Sequence, residues 1–417
     1  MQNIRLENVQ INKYHWLLFS ICFLGTLFAG ITSTLMSVYM PAAIKDLVGV
    51  SDEMGVNKIS AFINSIFILG GSLGGITCGY ISDQFGRKKG LILSIACYGL
   101  FTLLTAFMPS WFGVVICRFL SGFGLGGVLV SSTTIMMEEW PSKSRASYMG
   151  YLSISIPIGI FSAGLIDYFI TSWRIAFFIG IFPILLAIIA FWILKESDKW
   201  LTNKSEANQK NHTEDFIFSR KYRNNLVAGT IIFGSMLIGL WAVFLWLPTW
   251  IQSFFTLRDA AKERGISMMV LGCGGLIGGV FSGSLINWIG AKRSILISFF
   301  ICSFISILLF KTNASFSYVI YFEIAIISLF FGASQGVLSV YIPELFPVKI
   351  RATATGFCFN AGRVFTAIAV LFVGVLVTEL GGYSNSLFAF SLIFLIGLVC
   401  TFFAPEIASD KIQIDEN

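Results

Sequence analysis

The sequence predicts an all-α integral membrane protein of twelve transmembrane helices, arranged as two six-helix bundles related by a pseudo-two-fold axis along the membrane normal. Three observations support this prediction: the composition, the recurrence of long apolar segments and an internal repeat. Of the 417 residues, 56% are hydrophobic and only 12% are charged, whereas soluble globular proteins carry about 25% charged residues. So little polar surface cannot face water on all sides, and lipid is therefore the expected solvent.

Twelve apolar segments are long enough to cross a membrane, because a helix needs about 20 such residues to span the hydrocarbon core. The predicted spans, numbered 1 to 12 in chain order, are 16–41, 58–82, 89–109, 111–137, 146–168, 173–195, 223–252, 264–286, 293–312, 316–342, 352–379 and 383–404. The first segment is too long for the apolar region of a signal peptide, so we expect it to be retained as span 1.

Lysine and arginine residues indicate the side on which each loop lies, because cytoplasmic loops are enriched in them. With the N-terminus inside, nineteen of the 28 fall in cytoplasmic segments and seven in outside loops. This bias predicts that both termini lie in the cytoplasm, and we expect the protein in the bacterial inner membrane. The polar segment 196–222 is then a cytoplasmic linker between an N-terminal bundle, 1–195, and a C-terminal bundle, 223–417.

An internal repeat relates the two predicted bundles, since the same residues recur about 200 positions later in the chain. Gly70, Gly71, Gly74, Gly75 and Gly79 match Gly274, Gly275, Gly278, Gly279 and Gly283, and Glu138, Pro141, Lys143 and Arg145 match Glu344, Pro347, Lys349 and Arg351. Small residues four apart let helix backbones approach closely in lipid. The repeat therefore predicts tight packing of spans 2 and 8, and two bundles of the same topology.

The loop after span 2 carries Gly79, Asp83, Gly86, Arg87 and Lys88. This spacing resembles the signature between spans 2 and 3 of the major facilitator superfamily, and the resemblance covers almost the whole chain. It implies a secondary transporter with the major facilitator fold. It also implies that Asp83 and Arg87 belong to a cytoplasmic charge network that locks the outward-open state. For Lys88, simple positive-inside anchoring is the alternative role.

Two further loops resemble elements of the sugar-porter and organic-ion branches of that superfamily. They are the segments Glu138 to Arg145 and Pro343 to Arg351, and we interpret Glu138, Arg145, Glu344 and Arg351 as parts of conformational-switch loops. The segment 351–363 is similar to bacterial metabolite–proton symporters, which include aromatic-acid, nicotinate and sialic-acid carriers.

Charged residues inside spans are costly in lipid and are therefore candidates for function. Arg363 lies at mid-membrane depth, where an anionic substrate or Glu323 would compensate its charge. Arg118 lies in span 4; in the sugar porters that its pattern resembles, this arginine pairs with an aspartate of span 1 and takes part in proton coupling. Span 1 has no carboxylate here, so Glu323 and Asp167 are the candidate proton carriers. A static Arg–Glu bridge and an Asp167 already in water at the outer end are the alternatives.

Spans 1, 4, 7 and 10 line the cavity in the fold that the sequence resembles, so polar and aromatic residues near the cavity are further candidates. The predicted substrate-binding residues are Ser37, Tyr39, Trp246, Gln335, Asn360 and Arg363. Helix packing is the alternative role for the uncharged members of this set. For Trp246, an aromatic belt at the membrane interface is also an alternative.

Together these features predict a secondary active transporter that imports a small organic anion with protons. An exporter or uncoupled facilitator of a metabolite, siderophore or drug is the alternative within transport, and a non-transporting receptor is the alternative outside it. We do not expect an enzyme, because the sequence has no metal-binding cluster, nucleophile elbow or phosphate loop. The expected partners are the substrate, protons and membrane lipid, with no cofactor, metal or nucleic acid, and we expect a monomer.

Overall fold

A computed structural model describes residues 11–49, 53–197, 200–201, 218–255 and 257–406. The described chain is helical and contains no strand. Twelve of its helical segments are long and apolar enough to cross a membrane. The predicted fold class is therefore confirmed.

Each span is formed by one α-helix or by two consecutive α-helices, which in span 6 are joined by the short 3-10 helix Phe178–Gly180. They are Lys13–Val48 in span 1, Glu53–Phe85 in span 2, Arg87–Thr105 in span 3, Trp111–Glu139 in span 4, Ser142–Ser153 with Ser155–Phe169 in span 5, Trp173–Phe177 with Ile181–Ile193 in span 6, Arg223–Ser253 in span 7, Ala261–Ile289 in span 8, Ala291–Lys311 in span 9, Val319–Glu344 in span 10, Val348–Glu379 in span 11, and Tyr383–Ser391 with Ile393–Phe403 in span 12.

The largest difference from the predicted spans is at the end of span 1. The sequence prediction ends this span at Pro41, where the apolar segment that begins at Trp16 ends. The structure continues the helix through Pro41 to Val48. Proline is tolerated inside membrane helices, where neighbouring helices and local adjustments satisfy the freed backbone groups.

The internal repeat is also present in the packing. A Cβ atom on Gly74 of span 2 would lie 1.9 Å from the main-chain oxygen of Phe123 in span 4. A Cβ atom on Gly278 of span 8 would lie 1.8 Å from the main-chain oxygen of Leu329 in span 10. These matched glycines bring helix backbones into direct contact in both bundles.

The loops distinguish two faces of the molecule. The linker face holds the loops at 86, 140–141, 290 and 345–347 together with residues 194–197, and the far face holds the loops at 106–110, 170–172, 257–260 and 380–382. On the far face, span 2 packs against span 11 and span 5 packs against span 8. Gly374 and Asn57 make the first contact, and Gly164 and Gly265 the second.

Toward the linker face the two bundles separate. A Cβ atom on Gly279 or on Gly283 of span 8 would meet no atom within 4 Å, whereas Gly265 and Gly272 of the same helix are packed against span 5. The structure is therefore closed at the far face, and the gap between spans 5 and 8 widens toward the linker face.

Candidate functional site

A cavity of about 210 Å³ lies between the two bundles. Spans 1, 4, 7 and 10 contribute to its wall, as expected, and spans 2, 5, 8, 11 and 12 contribute as well. The apolar lining includes Phe67, Leu125, Ile160, Trp241, Phe244 and Phe331, and the polar lining includes Ser33, Ser328, Gln335 and Arg363. The wall is thus mostly apolar, with a few polar groups placed in it, as in typical small-molecule sites.

Arg363 is the one charged residue among those that line this cavity. It lies on span 11, and its Nη1 atom is 3.5 Å from the position that a Cβ atom on Gly75 of span 2 would occupy. Within the described residues, no hydrogen bond or ion pair reaches its guanidinium. The site therefore presents an uncompensated positive charge in an apolar chamber.

Asn360 lies one helical turn before Arg363 on the same span. Its Nδ2 donates to the main-chain oxygen of Gly356 at 2.9 Å, which fixes the orientation of the amide. Its Oδ1 is buried, has no hydrogen-bond partner among the described residues and lies 3.6 Å from the same Cβ position at Gly75. Arg363 and Asn360 thus approach one point on span 2, and Gln335 faces the same cavity from span 10.

Four of the six predicted substrate-binding residues are not in the lining of this cavity: Asn360, described above, and Trp246, Tyr39 and Ser37. Trp246 is fully buried in a cluster of apolar side chains near the far face and packs against Tyr383, so it does not belong to an interfacial aromatic belt. Tyr39 is buried and donates to the main-chain oxygen of Ile170 at 2.5 Å. Ser37 is buried in span 1. Sequence periodicity does not separate the cavity side of a fully buried span from its other sides, which explains these placements.

Arg118 is 1% exposed and has no carboxylate partner among the described residues. Its Nη1 donates to the main-chain oxygen of Thr32 at 3.1 Å. Its guanidinium lies 3.9 Å from the centre of the Phe67 ring, and Phe67 is part of the cavity wall. Arg118 therefore lies directly behind the cavity, on the opposite bundle from Arg363.

The structure does not bring the two candidate proton carriers to Arg363. Glu323 accepts a hydrogen bond from Asn313 at 2.6 Å near the far face, so the Arg363–Glu323 pair proposed from the sequence does not form. Asp167 is fully buried, so it does not lie in water at the outer end of span 5. It faces Arg264 of span 8 at 3.4 Å.

Arg264 is the charged residue that the sequence reasoning missed. The sequence prediction places Arg264 at the first position of span 8 and counts it with the outside loops, whereas the helix begins at Ala261 and buries Arg264 to 1% exposure. Its guanidinium also contacts Asp259 and Gln252. A search for acid–base partners between the far ends of spans 5 and 8 would have found this group.

The predicted switch loops form a charge cluster at the linker face of the first bundle. Arg87 pairs with Asp83 one turn earlier and with Glu138 at 2.8 Å. Glu138 comes from the end of span 4, so the cluster joins spans 2, 3 and 4. The backbone at Gly86 has a φ of 118°, which only glycine adopts without strain. Gly79 lies within span 2, two turns before the loop.

Other members of the switch loops make local contacts. The main-chain nitrogen of Lys88 donates to a carboxylate oxygen of Glu196, which follows span 6, at 3.0 Å. Arg145 donates to the main-chain oxygen of Trp140 at 2.9 Å, and Arg351 donates to that of Phe346 at 3.3 Å. These two matched contacts repeat between the bundles. Glu344 is the last residue of the span 10 helix.

Known proteins share this architecture. The family described as Major Facilitator Superfamily matches residues 22–365. The chain is 24% identical to the cis,cis-muconate transport protein of Acinetobacter baylyi, over 89% of this chain and 90% of that protein. It is also 24% identical to the niacin transporter of the same organism, over 94% of both chains. A solved D-xylose-proton symporter has the same fold, with a TM-score of 0.78 at 18% identity over 94% of this chain and 99% of that one.

Proposed function

Because the chain belongs to the major facilitator superfamily, and its relatives and fold are those of transporters and not of enzymes, we propose that it carries a small organic anion across the membrane by alternating access. The two bundles, 1–195 and 223–417, are the moving units in this proposal, and 196–222 is the linker between them. The cavity between the bundles is the substrate site, and it exchanges between the two faces as the bundles rock.

The proposal that the substrate is an anion depends on Arg363. A guanidinium without a counter-ion is expensive in an apolar chamber, and the lining offers no carboxylate to compensate it. A substrate carboxylate would supply that charge and would accept two parallel hydrogen bonds from the guanidinium. Gln335 and Asn360 add uncharged polar groups near the same place.

The size of the cavity limits the substrate. A protein cavity of about 150 Å³ holds one benzene molecule, so the chamber of about 210 Å³ suits a single ring or a short chain with a carboxylate. The relatives also favour a small carboxylate as substrate, because two of them are named for transport of cis,cis-muconate and niacin. Both compounds are small carboxylic acids.

We further propose that transport is import and is coupled to protons. Span 1 has no acid, so the coupling group must lie elsewhere, and the buried carboxylates Asp167 and Glu323 are the candidates. The distribution of Lys and Arg supports a cytoplasmic linker face, in a monomer of the bacterial inner membrane. An imposed pH gradient across proteoliposomes tests the coupling, because an uncoupled facilitator would transport substrate at the same rate with and without the gradient.

A thermal-shift screen of the purified protein tests the substrate class. Single-ring carboxylates, their uncharged amides and matched cationic amines are added to the wild type and to Arg363→Ala. We expect carboxylates alone to raise the melting temperature of the wild type and to lose that effect in the variant. Stabilisation by amides or amines that persists in Arg363→Ala would contradict the anion proposal. Counterflow of a stabilising compound then separates a transporter from a receptor that only binds.

A further inference from the structure

A buried polar cluster joins the two bundles at the far face, well away from the substrate cavity. Asp167 from span 5 is 0% exposed and Arg264 from span 8 is 1% exposed, with 3.4 Å between carboxylate oxygen and guanidinium nitrogen. Gln252 and the half-exposed Asp259 complete the cluster from the second bundle. Such a cluster is costly to bury and is therefore a candidate for a function of its own.

Arg264 is held mainly by its own bundle. Its Nη1 contacts both the carboxylate of Asp259 and the Oε1 of Gln252. Gln252 is itself oriented, because its Nε2 donates to the main-chain oxygens of Phe255 and Arg258. The charge of Arg264 is thus already compensated before the first bundle makes contact.

Asp167 is left with an incomplete set of partners. One of its carboxylate oxygens makes the longer contact to Arg264, and the other is buried with no hydrogen-bond partner among the described residues. Two carboxylates, those of Asp167 and Asp259, therefore share one guanidinium. When two carboxylates share a site, one of them favours its protonated form.

Few other ionisable groups face this pair. Tyr39 of span 1 lies nearby and donates its proton to the main-chain oxygen of Ile170. On the second bundle, Arg258 pairs with Glu263, and Lys262 lies over the ring of Tyr168. On the first bundle, Arg174 pairs with Asp46. These neighbouring charges are matched within their own bundles or lie over a ring, so none is directed at the open oxygen of Asp167.

The position of Asp167 links it to closure of the far face. Gly164, one turn earlier, packs against Gly265, and a Cβ atom on either glycine would lie less than 3.0 Å from the opposite helix. Spans 5 and 8 cannot part at this end without separating Asp167 from Arg264. Opening of the far face would place Asp167 in water, and closing would bury it again.

We propose that closure of the far face binds one proton, at Asp167. The proton passes from far-face water to the buried carboxylate, so that the closed cluster holds one neutral acid, Asp259 as the counter-ion and one guanidinium. Acid on the far side then stabilises the closed state. This inference rests on the alternating access proposed above, and it adds a proton site that is separate from the substrate cavity.

The test measures the distance across the far face in the protein, reconstituted in nanodiscs, by pulsed electron paramagnetic resonance. Spin labels replace the exposed Phe107 and Leu257 at the far face, in a background in which the exposed Cys273 is serine. We expect the short-distance population of the wild type to grow as the pH falls from about 8 to about 5.5. Asp167→Asn, which imitates the protonated acid, should show the short distance at both pH values.

Matched variants distinguish this proposal from the alternative in which Asp167 stays ionised and closes the far face as an ion pair with Arg264. Asp259→Asn leaves one acid for one arginine, so the pH response should shrink. Asp46→Asn removes a far-face acid that pairs with Arg174 within the first bundle and should leave the pH response intact. A far face that opens in Asp167→Asn, or a pH response that persists in it, would overturn the proposal. Counterflow of substrate on the same variants reports the proposed transport separately, so a failure of the proton site is distinguishable from a failure of transport.

Discussion

The guanidinium of Arg118 donates to the main-chain oxygen of Thr32 in span 1 at 3.1 Å. The sugar porters that this pattern resembles have an aspartate in span 1 as the partner of this arginine. A neutral carbonyl and the face of Phe67 take that role in this chain, so the charge of Arg118 is stabilised but not neutralised. Span 1 has no acid to pair with Arg118, so the coupling proposed above has to depend on other groups.

Replacing Arg118 by methionine should lower the rate of transport without lowering the stability of the fold. An unpaired buried charge is destabilising, and well-packed apolar replacements of buried ions are often neutral or stabilising by about 1–4 kcal/mol. We expect Arg118→Met to melt at or above the wild-type temperature while substrate counterflow falls by about tenfold or more. A lower melting temperature with full counterflow would show that the residue is only structural.

Alanine substitutions at two adjacent glycines of span 8 should differ in their effect on the melting temperature. In Gly278→Ala the new methyl group would lie 1.8 Å from the main-chain oxygen of Leu329, whereas in Gly279→Ala it meets no atom within 4 Å. Overpacking of this kind costs about 1–3 kcal/mol, so Gly278→Ala should melt well below the wild type. Thermal melting of both variants checks this, and equal melting temperatures would contradict the close contact of spans 8 and 10.

The two acids that flank Arg87 should differ in their contribution to stability. Asp83 is 64% exposed and Glu138 is 19% exposed. Exposed ion pairs contribute about 0–1 kcal/mol, whereas hydrogen bonds to charged groups that are shielded from water contribute about 1.5–3 kcal/mol. Glu138→Gln should therefore lower the melting temperature more than Asp83→Asn. The reverse order would indicate that Arg87 depends mainly on Asp83.

The proposed orientation makes a prediction about accessibility. Single cysteines at the exposed positions Lys221, on the linker side, and Leu257, at the far face, are compared in intact cells with a membrane-impermeant maleimide. We expect Leu257→Cys to react and Lys221→Cys to react only after the membrane is permeabilised, because the positively charged face should be cytoplasmic. Labelling of Lys221→Cys in intact cells would reverse the topology.

The fold was predictable because its signals are local or repetitive. Long apolar segments, charged loops and the repeated glycines determine the number of spans and their pairing. The end of span 1 was not predictable from Pro41, since the effect of a proline inside a membrane helix depends on the helices that surround it.

The site was predictable only in part. Arg363 could be found because a charged residue inside an apolar span is conspicuous. The placement of Trp246 in the core and the burial of Arg264 beside Asp167 depend on how the two bundles meet. That contact brings together residues far apart in the chain, and no periodicity of a single helix encodes it.

Counterflow in proteoliposomes tests the central claim most directly. A labelled single-ring carboxylate and its uncharged amide are compared in the wild type, in Arg363→Gln and in Trp246→Phe, a control residue that lies outside the cavity. We predict that the wild type and Trp246→Phe exchange the carboxylate and not the amide, and that Arg363→Gln exchanges the carboxylate about tenfold more slowly or worse. Equal exchange of carboxylate and amide by the wild type, or full carboxylate exchange by Arg363→Gln, would contradict the account.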